Sequence, residues 1–297
     1  MARAVVVTRY KNALGSFLDA HTLKLVDKRK RESTVTTRRV LIAVGGRPTP
    51  LPCEGGNLAI DSDDIFTLDH DPGKTLVIGA SYVALECAGF LTGTGHDTTV
   101  MVRSIFLRGF DQSIANMIAA NMEAHGTKFI KPATPSKIER QEDGKLKVTW
   151  TQDGAEHSDV FDTVLAAVGR RADTAGLNLD AVGVTVERNG KIPCVNEQTN
   201  VSHVYACGDV LYGHLELTPV AIQAAKLLMN RLYGGSTKAM DYDLVPTTVF
   251  TPMECVLPVF MSCSWSRCLV WCAHVRVHCT MSGMAPLDLR KKTPSRN

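Results

Sequence analysis

The sequence predicts an α/β protein with a doubly wound, parallel-crossover unit, and three observations bear on it. A short buried-type strand, a glycine-bearing turn, a helix and another strand follow one another between Thr75 and Val102. Two apolar strand ends, Val40 to Pro48 and Val164 to Arg170, echo each other about 120 residues apart. Further on, a turn and strand from Thr199 end in Gly208-Asp209, ahead of a helix from about Pro219 to Tyr233.

Composition sets the frame for these elements. The chain has 297 residues, 44% hydrophobic and 21% charged, with 23 glycines and 13 prolines. That is globular composition, too apolar for a disordered chain and long enough for two cores. With 33 Lys+Arg against 30 Asp+Glu, the net charge of +3 gives no electrostatic argument for a nucleic-acid surface, and no nucleic-acid partner is expected. No run of apolar residues is long enough to span a bilayer, so no membrane role is expected. Nine cysteines without framework spacing favour a reducing compartment, and the chain reads as cytoplasmic.

The first echo, Val40-Leu41-Ile42-Ala43-Val44, is an apolar strand ending in Gly45-Gly46-Arg47-Pro48. Asp71-Pro72-Gly73 is a turn signal, and Thr75-Leu76-Val77-Ile78 reads as a buried strand. In Gly79-Ala80-Ser81-Tyr82-Val83-Ala84 the first glycine suits a tight turn, and small residues follow where a backbone must approach closely. From Tyr82 to Leu91, apolar Val83, Leu85, Cys87, Ala88 and Leu91 fit a helix, and Thr99 to Val102 a second strand. The whole is about the size of a parallel crossover, a dinucleotide-binding unit in outline, whose helix amino terminus would favour phosphate.

The end of the second strand selects the nucleotide. A site for NAD carries Asp or Glu there to hold the ribose hydroxyls. Here the residue is Arg103, followed by Ser104 and, one turn later, Arg108. Guanidinium groups present fixed donor forks to phosphate oxygens, so the pattern suits a ribose 2′-phosphate and prefers NADPH to NADH. The second echo, Val164 to Val168, runs into Gly169-Arg170. Beyond Gly208-Asp209, Glu216-Leu217-Thr218-Pro219 opens the last helix, with Thr218 expected as its cap and Pro219 in its first turn.

Three runs together carry a resemblance: Gly79 to Leu91, Val100 to Asp111, and Glu216 to Gln223 continued by Val245-Pro246-Thr247-Thr248-Val249-Phe250-Thr251-Pro252. From about Tyr10 to Glu254 the chain closely resembles the large, animal-type thioredoxin reductases, class I pyridine-nucleotide disulfide oxidoreductases, with glutathione reductase the nearest rival. The resemblance implies a Rossmann-like NADPH domain at 46–170 inserted in an incomplete FAD-binding domain, whose pieces are 1–45 and 171–254. It also implies NADPH and FAD as cofactors, thioredoxin as partner, a homodimer, and electron flow from NADPH through FAD to a disulfide. Gly79, Ser81, Tyr82, Val83, Glu86, Arg103, Ser104, Arg108, Gly169 and Arg170 would form the NADPH site. Gly208 and Asp209 would meet the ribityl chain of FAD, with Glu216, Leu217 and Thr218 facing its pyrimidine edge. Cys207 reads as a buried hydrophobe rather than a redox thiol.

Departures from the family pattern are as specific. No G-x-G-x-x-G turn precedes Gly45, no Cys-x4-Cys-x-Pro-Lys-Lys run occurs, and the sequence contains no His-Pro. Disulfide chemistry needs a thiolate and a proton-managing base, so no catalytic residue is named. The expected texture changes near residue 254: the tail 255–297 carries Cys263, Cys268, Cys272 and Cys279, with Trp265 and Trp271, and no period. Cys263 and Cys268 have the family's Cys-x4-Cys spacing but lack its glycine and lysine surroundings and lie at the wrong end of the chain, and Cys268, Cys272, His274, His278 and Cys279 match no standard zinc spacing. The tail is expected to be aberrant, as from an out-of-frame reading. The alternative to a reductase is a catalytically inactive NADPH-binding or regulatory module.

Overall fold

The computed structural model describes residues 8–260. They divide into two compact units, one built from 48–169 with 243–260, the other from 8–47 with 170–242.

The first unit is centred on a five-stranded parallel sheet in the order Ile60–Asp61, Thr163–Ala166, Thr75–Ile78, Thr98–Met101, Lys128–Ile130. Its three central strands are buried at every position, as a sheet covered on both faces requires. Alternation along the strands sorts the side chains. Val77, Val100 and Leu165 face helix α1 (Tyr82–Gly93) and helix α2 (Gln112–Ala124), packing with Leu85, Ala88, Leu91, Ile118 and Met122. Leu76, Ile78, Met101 and Val164 face the other way, into a core with Val148, Trp150 and Phe161. That second face is covered by an antiparallel meander of Thr134–Arg140, Leu146–Gln152 and Ala155–Phe161. Phe161, at the end of the meander, is its largest side chain with no exposed surface. Phe161→Ala is expected to lower unfolding free energy by about 3–5 kcal/mol, measurable by urea denaturation.

Asp111 caps α2, its carboxylate accepting from the amides of Ser113 at 2.9 Å and Ile114 at 3.1 Å. The unit is pinned where the chain enters and leaves it, because the Thr49 amide donates to the Gly169 carbonyl at 2.9 Å. It also takes in the hairpin Leu244–Val249 with Cys255–Phe260. Val249, Met253 and Cys255 join the helix-side core. Gly89 admits this hairpin to α1, since a Cβ there would lie 2.7 Å from the Pro252 ring. The boundary expected at 254 thus falls inside a hairpin, and residues 243–254 group with the unit of the five-stranded sheet instead of with 170–242. Beyond residue 260, Cys263, Cys268, Cys272, His274, His278 and Cys279 lie outside the described residues.

The second unit has an antiparallel meander, Ala13–Phe17, Thr22–Asp27 and Glu32–Thr36, and a parallel pair, Val40–Ile42 with Val204–Ala206. Phe17, Ile42, Val204, Ala206, Ile192, Val210 and Leu211 form its core. Helix α3 (Thr218–Tyr233) begins at its expected cap, one residue earlier than the helix start expected at Pro219. Leu217 occupies the cap position with extended backbone, and no side chain caps the helix. Thr218 is already in the first turn, from which its hydroxyl cannot reach the amides a capping residue satisfies. Pro219 lies in that turn too, where its missing N–H costs nothing. No helix among the described residues is long and apolar enough to cross a membrane.

Candidate functional site

A cavity of about 640 Å³ opens at the carboxyl ends of the central strands. Gly79, Ser81, Arg103, Ser104, Arg108 and Gly169 all line it, so six of the ten residues expected for the dinucleotide converge. The floor is apolar, with Ile78 and Met101 beneath and Leu51, Pro52 and Cys53 at one side. This is the crevice at strand carboxyl ends where open α/β sheets take their ligands.

Each lining residue has a local cause. Gly79 sits at φ +132, and a Cβ there would approach the Ala167 carbonyl oxygen to 2.3 Å. Its amide donates to the Met101 carbonyl at 3.0 Å, so the glycine lets the turn pass between two neighbouring strand ends. Ser81 is the extended cap of α1 but makes no capping bond through its side chain. Its exposed hydroxyl and the amino-terminal amides of α1 then suit an anion. The segment after the Thr98–Met101 strand is held at both ends. Leu107 is buried and its amide donates to the Ala80 carbonyl at 2.8 Å, while Gln112 Nε2 donates to the Phe106 and Phe110 carbonyls. Arg103 and Arg108 are thereby left exposed at the cavity rim. Arg108 Nη2 donates to Ser104 Oγ at 2.8 Å, which orients the guanidinium. The cavity lining holds two arginines and no carboxylate.

Four expected residues lie elsewhere. Tyr82 and Val83 pack against the helix-side core in the first turn of α1. Glu86, one turn on, accepts a hydrogen bond from the Phe250 amide at 2.8 Å and so clasps the hairpin to α1. Arg170 belongs to the other unit, where its Nη2 donates to the Gly46 carbonyl at 2.8 Å. Burial raises the Glu86 carboxyl above its ordinary value, opposed by the Phe250 amide. A raised native value favours the protonated form, so this group's stability contribution is present below its unfolded value and is lost as pH rises through the native one. Glu86→Gln keeps the acceptor for Phe250 without the charge. It is expected to be more stable than the parent at pH 7, with the gain vanishing near pH 4, in thermal melts across that range.

The second unit gathers Gly208, Asp209, Glu216, Leu217 and Thr218 between the Val204–Ala206 strand and the start of α3. Gly208 is at φ +79 and opens the single turn that carries Asp209. Burial raises the Asp209 carboxyl, and nearby Glu216 adds to the rise, against the opposing charges of Arg170 and Lys191. Among the described residues that half-buried carboxylate accepts no hydrogen bond, an orphaned acceptor beside a helix amino terminus. This much fits the ribityl-facing half of a flavin site. Lys191, which the sequence reading passed over, is buried and pairs with Glu216 Oε1 at 2.5 Å. A second network, Glu197 with Arg231 and with the Tyr242 hydroxyl at 2.7 Å, was equally unread. Its members are 34 and 45 residues apart, beyond any local pattern.

Four thiols among the described residues are held protonated by burial. Burial pushes Cys87 up to about 11 and Cys194 up to about 12, and raises Cys53 and Cys207 as well. Cys207 is 6% exposed, in keeping with a packing role. Among the described residues no cluster of three metal-ligating side chains occurs.

The family described as pyridine nucleotide-disulphide oxidoreductase matches residues 3–225. The chain belongs to that family. Among curated relatives, it is 50% identical over 256 residues to thioredoxin reductase SEP1 of Emiliania huxleyi. The match takes in 83% of this chain and 52% of that protein, so the chain spans about half the relative's length.

Proposed function

We propose that this chain is the nucleotide-binding portion of an NADPH- and FAD-dependent thioredoxin-disulfide reductase. The observation that carries the reading is the cavity lining, where two arginines and no carboxylate stand at the end of the second crossover strand. A carboxylate there would repel a 2′-phosphate; guanidiniums attract it and lose nothing to a neutral ribose hydroxyl. The disulfide and thioredoxin parts of the proposal rest on the relative's name and the family match.

NADPH, when bound, supplies a hydride that a flavin accepts and passes on as electrons. The chain's own residues do the holding. Gly79 lets the backbone turn close to the pyrophosphate, and the start of α1 offers amides and the positive end of its dipole. Arg103 and Arg108 would grip the 2′-phosphate, Arg108 already oriented by Ser104. In the other unit, Asp209 would accept a hydrogen bond from a ribityl hydroxyl. The α3 amino terminus, with Glu216 neutralised by Lys191, would meet the pyrimidine edge of FAD. Titration of the chain with NADPH and NADH by calorimetry tests the reading. Binding of NADPH at least tenfold tighter is expected, and equal affinities overturn it.

A further inference from the structure

We infer that one end of the first meander is a docking surface for single-stranded nucleic acid, an inference that goes beyond the reductase reading and does not depend on it. The register sets Ala13 opposite Asp27, so the segment Arg9-Tyr10-Lys11 enters the sheet at the same end as the turn Lys28-Arg29-Lys30-Arg31. All seven residues are exposed. The acids at that end are already engaged. Asp27 accepts from the Arg29 and Arg31 amides and from Arg31 Nε at 2.7 Å, and Glu32 pairs with Lys24 at 2.5 Å. Those bonds also fix the turn, with Lys30 in the left-handed region at φ 59 and its amide on the Asp27 carbonyl.

Five cations, Arg9, Lys11, Lys28, Arg29 and Lys30, then have no ion partner among the described residues. The chain's small net charge averages over this concentration. What selects the partner is Tyr10. It is 84% exposed between two of the cations, an aromatic ring largely open to solvent. Phosphate-binding cations beside an unpacked ring are what a flexible polynucleotide strand recognises, because each base can stack while its backbone is held. An acidic peptide would use the charges and leave the ring idle.

Fluorescence anisotropy of the whole chain with labelled single-stranded RNA and DNA of about 15 nucleotides tests this, from low to physiological salt. Binding at about 50 mM salt is expected. Lys28→Gln/Arg29→Gln/Lys30→Gln should weaken it at least tenfold and make the slope of log affinity against log salt shallower by about 2. Tyr10→Ala should cost roughly fivefold or more. A control removing three exposed cations elsewhere, Arg140→Gln/Arg188→Gln/Lys226→Gln, should stay within about twofold. All substituted side chains are at the surface, and unchanged melting temperatures would exclude misfolding. No binding at low salt, equal losses in the control, an unaffected Tyr10→Ala variant, or tighter capture of a glutamate-rich peptide of equal charge would each overturn the inference.

Discussion

Arg103→Ala/Arg108→Ala is expected to lower NADPH affinity about 100-fold while leaving NADH affinity within about threefold. Each guanidinium is exposed at the rim, so its contribution is discounted for solvent from the larger value of a buried charge-assisted bond. Two partly screened contacts still sum to a large factor, because both act on the same phosphate. Ser104→Ala should share a little of the loss, since it frees Arg108 from its 2.8 Å bond without removing charge. Calorimetric titration with both nucleotides reads the ratio directly. Parallel losses for NADPH and NADH would assign the arginines to general charge attraction and remove the 2′-phosphate reading.

Gly79→Ala carries the second large effect. The residue holds φ +132, which an L side chain tolerates poorly, and the added carbon would sit 2.3 Å from the Ala167 carbonyl oxygen. That oxygen is backbone, at the end of a central buried strand, and cannot swing aside as a side-chain tip could. Strain and overpacking together should lower stability by about 2–5 kcal/mol, visible as a shifted urea midpoint. The strand ends that frame the cavity would part, so nucleotide affinity should fall with stability. Gly169→Ala offers the contrast: its φ of +117 imposes strain, but nothing lies within 4 Å of the new carbon. A smaller loss is expected there. Equal losses at the two positions would mean that backbone strain alone governs both.

The sequence made the crossover legible because every part of it is local. Strand Thr75–Ile78, the Gly79 turn and α1 occupy consecutive residues, and their apolar spacing, small turn residues and terminal arginines all sit within one short stretch. The meander from Thr134 to Phe161 was less legible. Its central strand does alternate, with Leu146, Val148 and Trp150 inward, but its edge strands are largely exposed and carry little pattern. Helix α2 also went unread, although Asp111 and the buried Ala115, Ile118, Ala119 and Met122 mark it. The Thr218 cap failed by one residue, a margin that local residue preference does not resolve. The clasp of Glu86 on Phe250 and the Lys191–Glu216 pair join residues 164 and 25 apart. Neither is visible before the fold brings the partners together.

The bond between Thr49 and Gly169 has a consequence for the order of assembly. The strand Val40–Ile42 must find Val204–Ala206, with more than 150 residues between them in the chain. Closing so long a loop from a disordered state is entropically expensive and slow. Once the 48–169 unit has formed, its entrance and exit are one hydrogen bond of 2.9 Å apart. About 120 residues then count as a short link, easing closure by about 1 kcal/mol. The inserted unit should therefore gain its protection against amide exchange first, and the parallel pair that frames it should be the last secondary structure to lock during refolding.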